Sequence, residues 1–159
     1  MKRRIPQSGD EWFRRAVRYL ARFDRTAAQV ERFLTNKGAS ADQAKQVISR
    51  LSDLRYLDDR AYGIRWIEAM LARRPMGQDR LKRELMTRGL GESLAEDVIL
   101  EGLGSLDEET LARRAVHLKE RDRMRFPRQR TLSLLRQRGF GEETIERIIR
   151  DCSGKERSS

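Results

Sequence analysis

The chain has very few of the residues that build disulfides and metal sites. Its 159 residues include one cysteine, one histidine and three prolines, and aromatic residues make up 6%. A lone cysteine forms no internal disulfide and suits a reducing cytoplasm, and a metal site needs three or four converging ligands. We therefore expect His117 to be a packing or surface residue and Cys152 to be a small core hydrophobe.

Signals for membranes and for catalysis are also missing. No apolar run approaches the ~18 residues of a membrane span, and the basic start MKRRIPQSGD lacks the apolar segment of a secretory signal. The sequence contains no G-x-x-x-x-G-K-[ST] loop and no Ser–His–Asp order, and its carboxylate pairs coincide with predicted helix starts. These absences favour a cytoplasmic binding protein without metal or catalytic residues, which we expect to be a monomer.

Positive charge is the strongest compositional feature. Lys and Arg number 35 against 25 Asp and Glu, a net charge of +10, and this balance favours an acidic partner such as nucleic acid, an anionic membrane surface or an acidic protein. Arginine outnumbers lysine by 29 to 6. The planar guanidinium suits phosphate, although genome base composition explains such a ratio equally well.

Three similar segments of about fifty residues follow one another. FLTNKG, ELMTRG and LLRQRG end at Gly38, Gly89 and Gly139, which are 51 and 50 residues apart. Twelve residues before each glycine stands a helix-start residue or helix breaker, and nine and ten residues after it stands a β-branched pair. Such periods indicate a helical repeat array. We expect a basic tail over residues 1–9, repeats over 10–55, 56–104 and 105–152, and a polar tail over 153–159.

Each repeat is predicted to contain three helices, because apolar residues recur at intervals of three and four and no segment alternates with period two. Capping-box spacings mark helix starts at Thr26–Gln29, Ser40–Gln43 and Ser105–Glu108. The repeated glycines are expected to end the second helices in a left-handed conformation. Asp58 is predicted to cap the fourth helix and Asp59 to lie in its first turn. The predicted fold is an all-α array of stacked, solenoid-like repeats.

The corner between the first and second helices is basic in every repeat. Equivalent positions of stacked repeats lie along one edge of the array, so we expect a positive stripe there that contacts an acidic partner such as nucleic acid or an acidic protein. Its candidate residues are Arg22, Arg25, Arg73, Arg74, Arg121, Arg123, Arg125, Arg128 and Arg130. A solvated loop in an arginine-rich protein is the alternative explanation of this pattern.

Residues 56–90, YLDDRAYGIRWIEAMLARRPMGQDRLKRELMTRGL, resemble the central signature of the RecX family of bacterial recombination regulators. That signature has a GYLDD-like start, an aromatic-rich helix, an R-x-x-G loop and then L-x-x-E-L-x-x-[KR]-G-[IL]. The matching positions are Tyr56, Leu57, Asp58, Asp59, Tyr62, Trp66, Gly77, Leu81, Glu84, Leu85, Arg88, Gly89 and Leu90. Arg55 stands where the family often has glycine, which leaves the local turn geometry in question.

The resemblance implies a curved array of three three-helix repeats with no catalytic residues and no cofactor. RecX-like proteins bind the RecA recombinase, contact its filament on single-stranded DNA, and suppress its ATPase and strand-exchange activities. A role in homologous recombination, DNA repair and the SOS response would follow. Free single-stranded and double-stranded DNA should bind weakly and without sequence preference, since counterion release on a basic surface supplies non-specific affinity.

Two other classes of function remain open on the residues alone. TAAQVERFLTNKGASADQAKQVISRL has the length of a helix-turn-helix unit, which suits a sequence-specific or architectural DNA-binding protein. The second helices nevertheless lack a dense Arg/Asn/Gln face for base readout. A protein-only scaffold is the other class, and the positive charge argues mildly against it.

Overall fold

The protein is described by a computed structural model that covers residues 8–120 and 127–154. Within these ranges the regular structure is entirely helical, as the sequence predicts. The helices are α1 (Gly9–Leu20), α2 (Ala27–Asn36), α3 (Ala41–Asp53), α4 (Asp59–Arg73), α5 (Gln78–Thr87), α6 (Glu92–Leu103), α7 (Glu108–Glu120), α8 (Arg128–Gln137) and α9 (Glu142–Gly154). The closest helix pairs all lie within α1–α3, α4–α6 or α7–α9. The predicted all-α array of three tandem three-helix repeats is therefore confirmed.

Capping boxes start the second and third helices of repeat 1. Thr26 Oγ1 accepts from Gln29 N at 3.2 Å while Gln29 Oε1 accepts from Thr26 N at 3.1 Å. The same reciprocal pair joins Ser40 and Gln43 at 3.2 and 2.9 Å. Each pair satisfies two N–H groups that a helix start leaves without partners. Both predicted boxes are confirmed.

The predicted capping box at Ser105 is wrong. Helix α7 begins at Glu108, and Asp107 Oδ1 accepts from Thr110 N at 2.7 Å. The backbone is still turning out of α6 before this point, since Leu106 N donates to Leu103 O at 3.0 Å. Because Asp is as good an N-cap as Ser, the carboxylate two residues later takes the capping position.

The three repeated glycines end α2, α5 and α8. Gly38, Gly89 and Gly139 have φ of 104°, 97° and 73°, the left-handed conformation that was predicted. The next residue in each repeat then donates its N–H back to the carbonyl of a buried leucine in the last turn. These bonds are Ala39 N to Leu34 O at 3.1 Å, Leu90 N to Leu85 O at 3.2 Å and Phe140 N to Leu135 O at 3.2 Å. The motif therefore recurs in all three repeats.

Repeat 1 has its own hydrophobic core, while repeats 2 and 3 share one. Trp12, Leu34 and Leu51 are fully buried in the first cluster. The second cluster runs from Tyr62 in α4 to Ile149 in α9. It includes the loop residues Met76 and Phe140, which are 3% and 6% exposed. Apolar packing thus unites the second and third repeats more closely than it unites either with the first.

Consecutive repeats meet through the ends of their second helices. Thr26 Oγ1, at the start of α2, donates to Arg88 O at the end of α5 at 2.6 Å. Gly77 N, at the start of α5, donates to Arg138 O at the end of α8 at 2.9 Å. The final carbonyls of a helix lack partners within it, and here each receives a hydrogen bond from the second helix of the preceding repeat. We call the two contacts the helix-end junctions.

Glycine is required where α5 meets α8. A Cβ at Gly77 would lie 2.0 Å from Gly139 O, and a Cβ at Gly139 would lie 2.7 Å from Cβ of Arg80. The two backbones can therefore approach within hydrogen-bonding distance only because both residues lack a side chain. The junction between repeats 2 and 3 depends on this pair.

The Asp58–Asp59 pair starts α4 and also ties it to repeat 1. Asp58 Oδ1 accepts from Ala61 N at 2.9 Å, the predicted cap. Asp59 Oδ1 accepts from Ala27 N, in the first turn of α2, at 2.8 Å. Burial raises the pKa of the Asp59 carboxyl against the opposing effect of the Ala27 hydrogen bond, and the charge of Asp58 raises it further. Asp59 thus joins two repeats, a role that local spacing does not reveal.

The departure from the family signature at Arg55 coincides with an unusual backbone conformation. Arg55 has φ of 62°, and it is the one non-glycine residue with positive φ among those that the structure describes. Glycine adopts this conformation without steric cost, whereas a residue with a Cβ does not. The turn keeps the shape that glycine favours although an arginine occupies it.

We predict that Gly77→Ala destabilises the protein much more than Gly91→Ala. Both glycines precede a helix with similar dihedrals, φ −69° and ψ 161° against φ −64° and ψ 155°. A Cβ at Gly91 would meet nothing within 4 Å. The intrinsic cost of alanine at an N-cap is therefore common to both, and the clash should add roughly 1–3 kcal/mol at Gly77. Urea unfolding of the two variants measures the difference, and equal midpoints would contradict the junction described here.

We also predict that two substitutions at Asp59 change the free energy of unfolding in different ways. Asp59→Ala leaves Ala27 N–H without its acceptor and should cost about 1–3 kcal/mol. Asp59→Asn keeps an acceptor oxygen for Ala27 N–H and removes a carboxyl group whose pKa is raised in the folded state. Because a raised carboxyl pKa penalises the charged form, the stability of the Asn variant relative to the parent should increase from acidic to neutral pH. Unfolding free energies at several pH values test this, and a fall in that difference would contradict it.

Candidate nucleic-acid and partner interface

The described arginines of the predicted stripe lie at helix ends and lack acidic partners. Arg22 and Arg25 are in the turn after α1, Arg73 and Arg74 are at the end of α4, and Arg128 and Arg130 are in the first turn of α8. Ion pairs in the described part of the chain involve other cations: Arg50, Arg60, Arg65, Arg80, Lys82, Arg88, Arg113, Arg136 and Arg147. Arg121, Arg123 and Arg125 lie outside the described residues.

The structure brings Arg73 and Arg74 together with the far end of α8. They line a groove of about 360 Å³ with Leu118, Lys119, Leu134, Gln137 and Arg138. We call this the junction groove. The start of α8, with Arg128 and Arg130, is about 15 Å from that end, since a helix rises ~1.5 Å per residue. The structure thus gives separate basic regions, of which the junction groove combines two repeats.

Arg138 is the buried member of the groove. It is 6% exposed, and its Nη1 donates to Pro75 O at 2.9 Å. Burial and the nearby charges of Arg74 and Arg80 lower the pKa of its guanidinium. Its buried Nε has no hydrogen-bond partner. The lining contains four cations and no carboxylate, so a bound anion would relieve their mutual repulsion.

The negative ends of helices help to hold these cations in place. Arg74 follows α4, Lys119 is in the last turn of α7 and Arg138 follows α8. Cations near helix C-termini are stabilised by the helix dipole. The dipoles therefore stabilise these cations in the folded protein without a ligand. Because the groove contains four unit positive charges and a helix end carries only a partial negative charge, the groove remains strongly positive.

Sequence reasoning missed Lys119 and Arg138, although the repeats contained a signal for the second. Arg138 is the basic residue before the repeated glycine, as Lys37 and Arg88 are. The contact that this basic residue makes differs among the repeats with the identity of the residue four positions earlier. Lys37 Nζ lies 5.9 Å from the ring of Phe33, and Arg88 pairs with Glu84 at 2.9 Å.

In repeat 3 the corresponding residue is Leu134. It offers Arg138 neither a carboxylate nor a ring, and Arg138 instead donates across the junction to the Pro75 carbonyl. One substitution between equivalent repeat positions therefore redirects a guanidinium from its own helix to the neighbouring repeat.

The signature residues are mostly structural. Leu57, Leu81 and Leu85 are buried. Glu84 holds Arg88, whose guanidinium lies 4.5 Å from the Trp66 ring centroid. Tyr56 is exposed and meets Phe13 edge-on at 6.3 Å. Gly77 and Gly89 take part in the helix-end junctions, since a Cβ at Gly89 would lie 2.3 Å from Cβ of Ala28.

The described residues contain no group of three His, Cys, Asp or Glu side chains placed to hold a metal. His117 lies on the surface, and Cys152 packs against the shared core of repeats 2 and 3. Of the helices in residues 8–120 and 127–154, none has the length and apolar character needed to cross a membrane.

Comparisons with known proteins agree on one group. Residues 13–51 match the family model described as RecX, first three-helix domain. The regulatory protein RecX of Chlorobaculum tepidum is 30% identical over 144 residues, covering 89% of this chain and 88% of that protein. The regulatory protein RecX of Trichlorobacter lovleyi is 31% identical over 142 residues, covering 84% of this chain and 90% of that protein.

A solved structure shows the same fold. The crystal structure of RecX from Lactobacillus salivarius superimposes with a TM-score of 0.73 at 23% sequence identity, covering 90% of this chain and 95% of that one. At this identity the likeness concerns the fold alone.

We predict that Arg74 and Lys119 act on the same bound phosphate. Arg74→Gln and Lys119→Gln should each weaken single-stranded DNA binding. The double variant should deviate from additivity by roughly 0.5–3 kcal/mol, because both side chains line the junction groove. Arg74 lies beside the C-terminal end of α8 and Arg128 is at its start, so Arg74→Gln and Arg128→Gln should be additive within about 0.5 kcal/mol. Fluorescence anisotropy at low salt measures both cycles, and additivity of Arg74 with Lys119 would contradict a shared site.

Proposed function

This chain belongs to the RecX family of regulatory proteins, and on that basis we propose that it binds the RecA recombinase and its filament on single-stranded DNA. We propose further that binding inhibits the ATPase and strand-exchange activities of the recombinase. The junction groove is the observation that carries this proposal, since it joins four cations from two repeats without a carboxylate. A nucleoprotein filament offers the regularly spaced negative charge that such a groove attracts.

Regulation by binding rather than by catalysis is part of the proposal. The acidic pair in the signature makes structural hydrogen bonds, because Asp58 caps α4 and Asp59 accepts a hydrogen bond from Ala27 N in α2. The protein would act in the cytoplasm on homologous recombination, DNA repair and the SOS response, where its proposed partner works. Inhibition would follow from occupation of the filament, with no cofactor and no chemical step.

Recognition of a specific DNA sequence through a helix-turn-helix unit is not favoured. A recognition helix places its N-terminal residues against base edges in the major groove. The start of α5 instead contacts Arg138 of the next repeat, and the start of α2 contacts Arg88. Two of the three second helices therefore have their N-termini occupied by protein.

We predict that Arg73→Glu with Arg74→Glu abolishes most inhibition of the recombinase ATPase on single-stranded DNA. Both residues are exposed, so the fold should persist, while charge reversal replaces attraction with a repulsion of several kcal/mol. A titration of each variant against the recombinase gives the measurement. It also gives the stoichiometry, because inhibition far below one molecule per subunit indicates capping of filament ends.

Lys45→Glu with Arg83→Glu is the matched control. These residues are exposed and make no ion pair among the described residues, and the pair changes the net charge by the same amount. The control should inhibit nearly as well as the parent protein. Equal loss in both variants would mean that overall charge governs inhibition and would contradict a role for the junction groove.

A further inference from the structure

Repeat 1 carries a continuous row of aromatic rings and cations. Tyr19 and Phe33 stack with ring centroids 4.0 Å apart and planes at 3°. The Arg25 guanidinium lies 5.4 Å from the Tyr19 centroid and 5.1 Å from the Phe23 centroid. Lys37 Nζ lies 5.9 Å from the Phe33 centroid, at the other end. We call these five side chains the aromatic ladder.

The ladder ends in an exposed ring. Phe23 is 61% exposed, whereas Tyr19 and Phe33 are partly covered by their contacts with the core of repeat 1. Arg25 covers one face of Phe23, so the exposed area belongs to the rest of the ring. Exposure of so much of the Phe23 ring to water is unfavourable. A planar ligand that stacked on this ring would cover it.

No carboxylate shares a helix face with Tyr19 or Phe33, and the carboxylate next to Phe23 in the chain is ion-paired. The residues three and four positions from Tyr19 and Phe33, which share their helix faces, include no carboxylate. They are Arg15, Ala16, Arg22, Phe23, Gln29, Val30, Asn36 and Lys37. Asp24, beside Phe23 in the chain, is paired with Arg65, whose Nε and Nη2 donate to its Oδ2 at 2.9 and 2.7 Å.

We propose that the aromatic ladder is a binding site for single-stranded DNA, in which one base stacks on Phe23 and the adjacent phosphates contact Arg22 and Arg25. Aromatic rings beside cations are the general means of holding a single strand without sequence preference, because every base presents a π-face. Duplex DNA keeps its bases stacked and paired, so it reaches only the cations. The ladder therefore gives preference for single strands, which phosphate contacts in the junction groove do not.

This inference deepens the proposed function, since it names what repeat 1 contacts on a DNA-bound filament. It makes a claim that needs no recombinase. Repeat 1 has its own hydrophobic core, and residues 10–55 carry a basic excess of +4, from ten basic and six acidic residues. A strand held there by its bases would be engaged separately from phosphates in the junction groove of repeats 2 and 3.

The test compares two ligands of equal charge. Full-length protein is titrated at low salt with a fluorescent oligothymidylate and with an abasic strand of the same length. The parent protein should prefer the oligothymidylate, and Phe23→Leu should lower its affinity for that strand roughly tenfold, the effect of losing one base stack. The affinity for the abasic strand should not change. Phe23→Trp keeps an aromatic face and should preserve the preference.

Leu100→Ala is the control for removal of an exposed apolar side chain, since Leu100 is 68% exposed on α6. It should bind both strands as the parent does. Equal affinity of the parent for the two strands, or an equal loss on both strands in Phe23→Leu, would overturn base stacking at the ladder. Because the assay contains no recombinase, failure here leaves inhibition to be tested separately, and loss of inhibition alone would not affect the ladder.

Discussion

The array depends on hydrogen bonds between the end of one helix and the start of another. A helix leaves its last carbonyls and first N–H groups without partners, and α8 and α5 satisfy one of each through the bond from Gly77 N to Arg138 O. Thr26 makes the corresponding bond to Arg88 O with its hydroxyl. Because each bond requires close backbone approach, it fixes the small residues around it and sets how consecutive repeats stack. Apolar packing then joins repeats 2 and 3 in one core.

The junction groove follows from this arrangement. The end of α8 lies against the loop after α4, and this places Arg138 beside Arg74. No carboxylate lines the groove to neutralise these positive charges. The helix dipoles and the Pro75 carbonyl hold these cations in the absence of a ligand. The positive surface is thus a product of repeat stacking, whereas the aromatic ladder is built within repeat 1. Under the proposed function, one nucleic-acid partner would therefore meet two different chemistries.

Features that depend on local sequence could be predicted, and features that depend on stacking could not. The repeat glycines, the capping boxes at Thr26 and Ser40 and the cap at Asp58 involve residues a few positions apart, so spacing reveals them. The predicted capping box at Ser105 was wrong because Asp107, an equally good capping residue, caps α7 instead. The contacts of Asp59 with Ala27 and of Arg138 with Pro75 span 32 and 63 residues. No periodicity encodes them, although the repeat alignment did mark position 138 as basic.

Hydrogen exchange of the full-length protein, alone and with a short single strand of DNA, tests whether the stacking of repeats 2 and 3 forms the junction groove. We expect the Gly77 amide to exchange slowly in the free protein, because it donates to Arg138 O. Added DNA should increase protection at the end of α4 and the end of α8 together, because both line the junction groove. Fast exchange at Gly77 in the free protein would contradict the junction between α5 and α8, and added protection at only one of these two helix ends would contradict a shared groove.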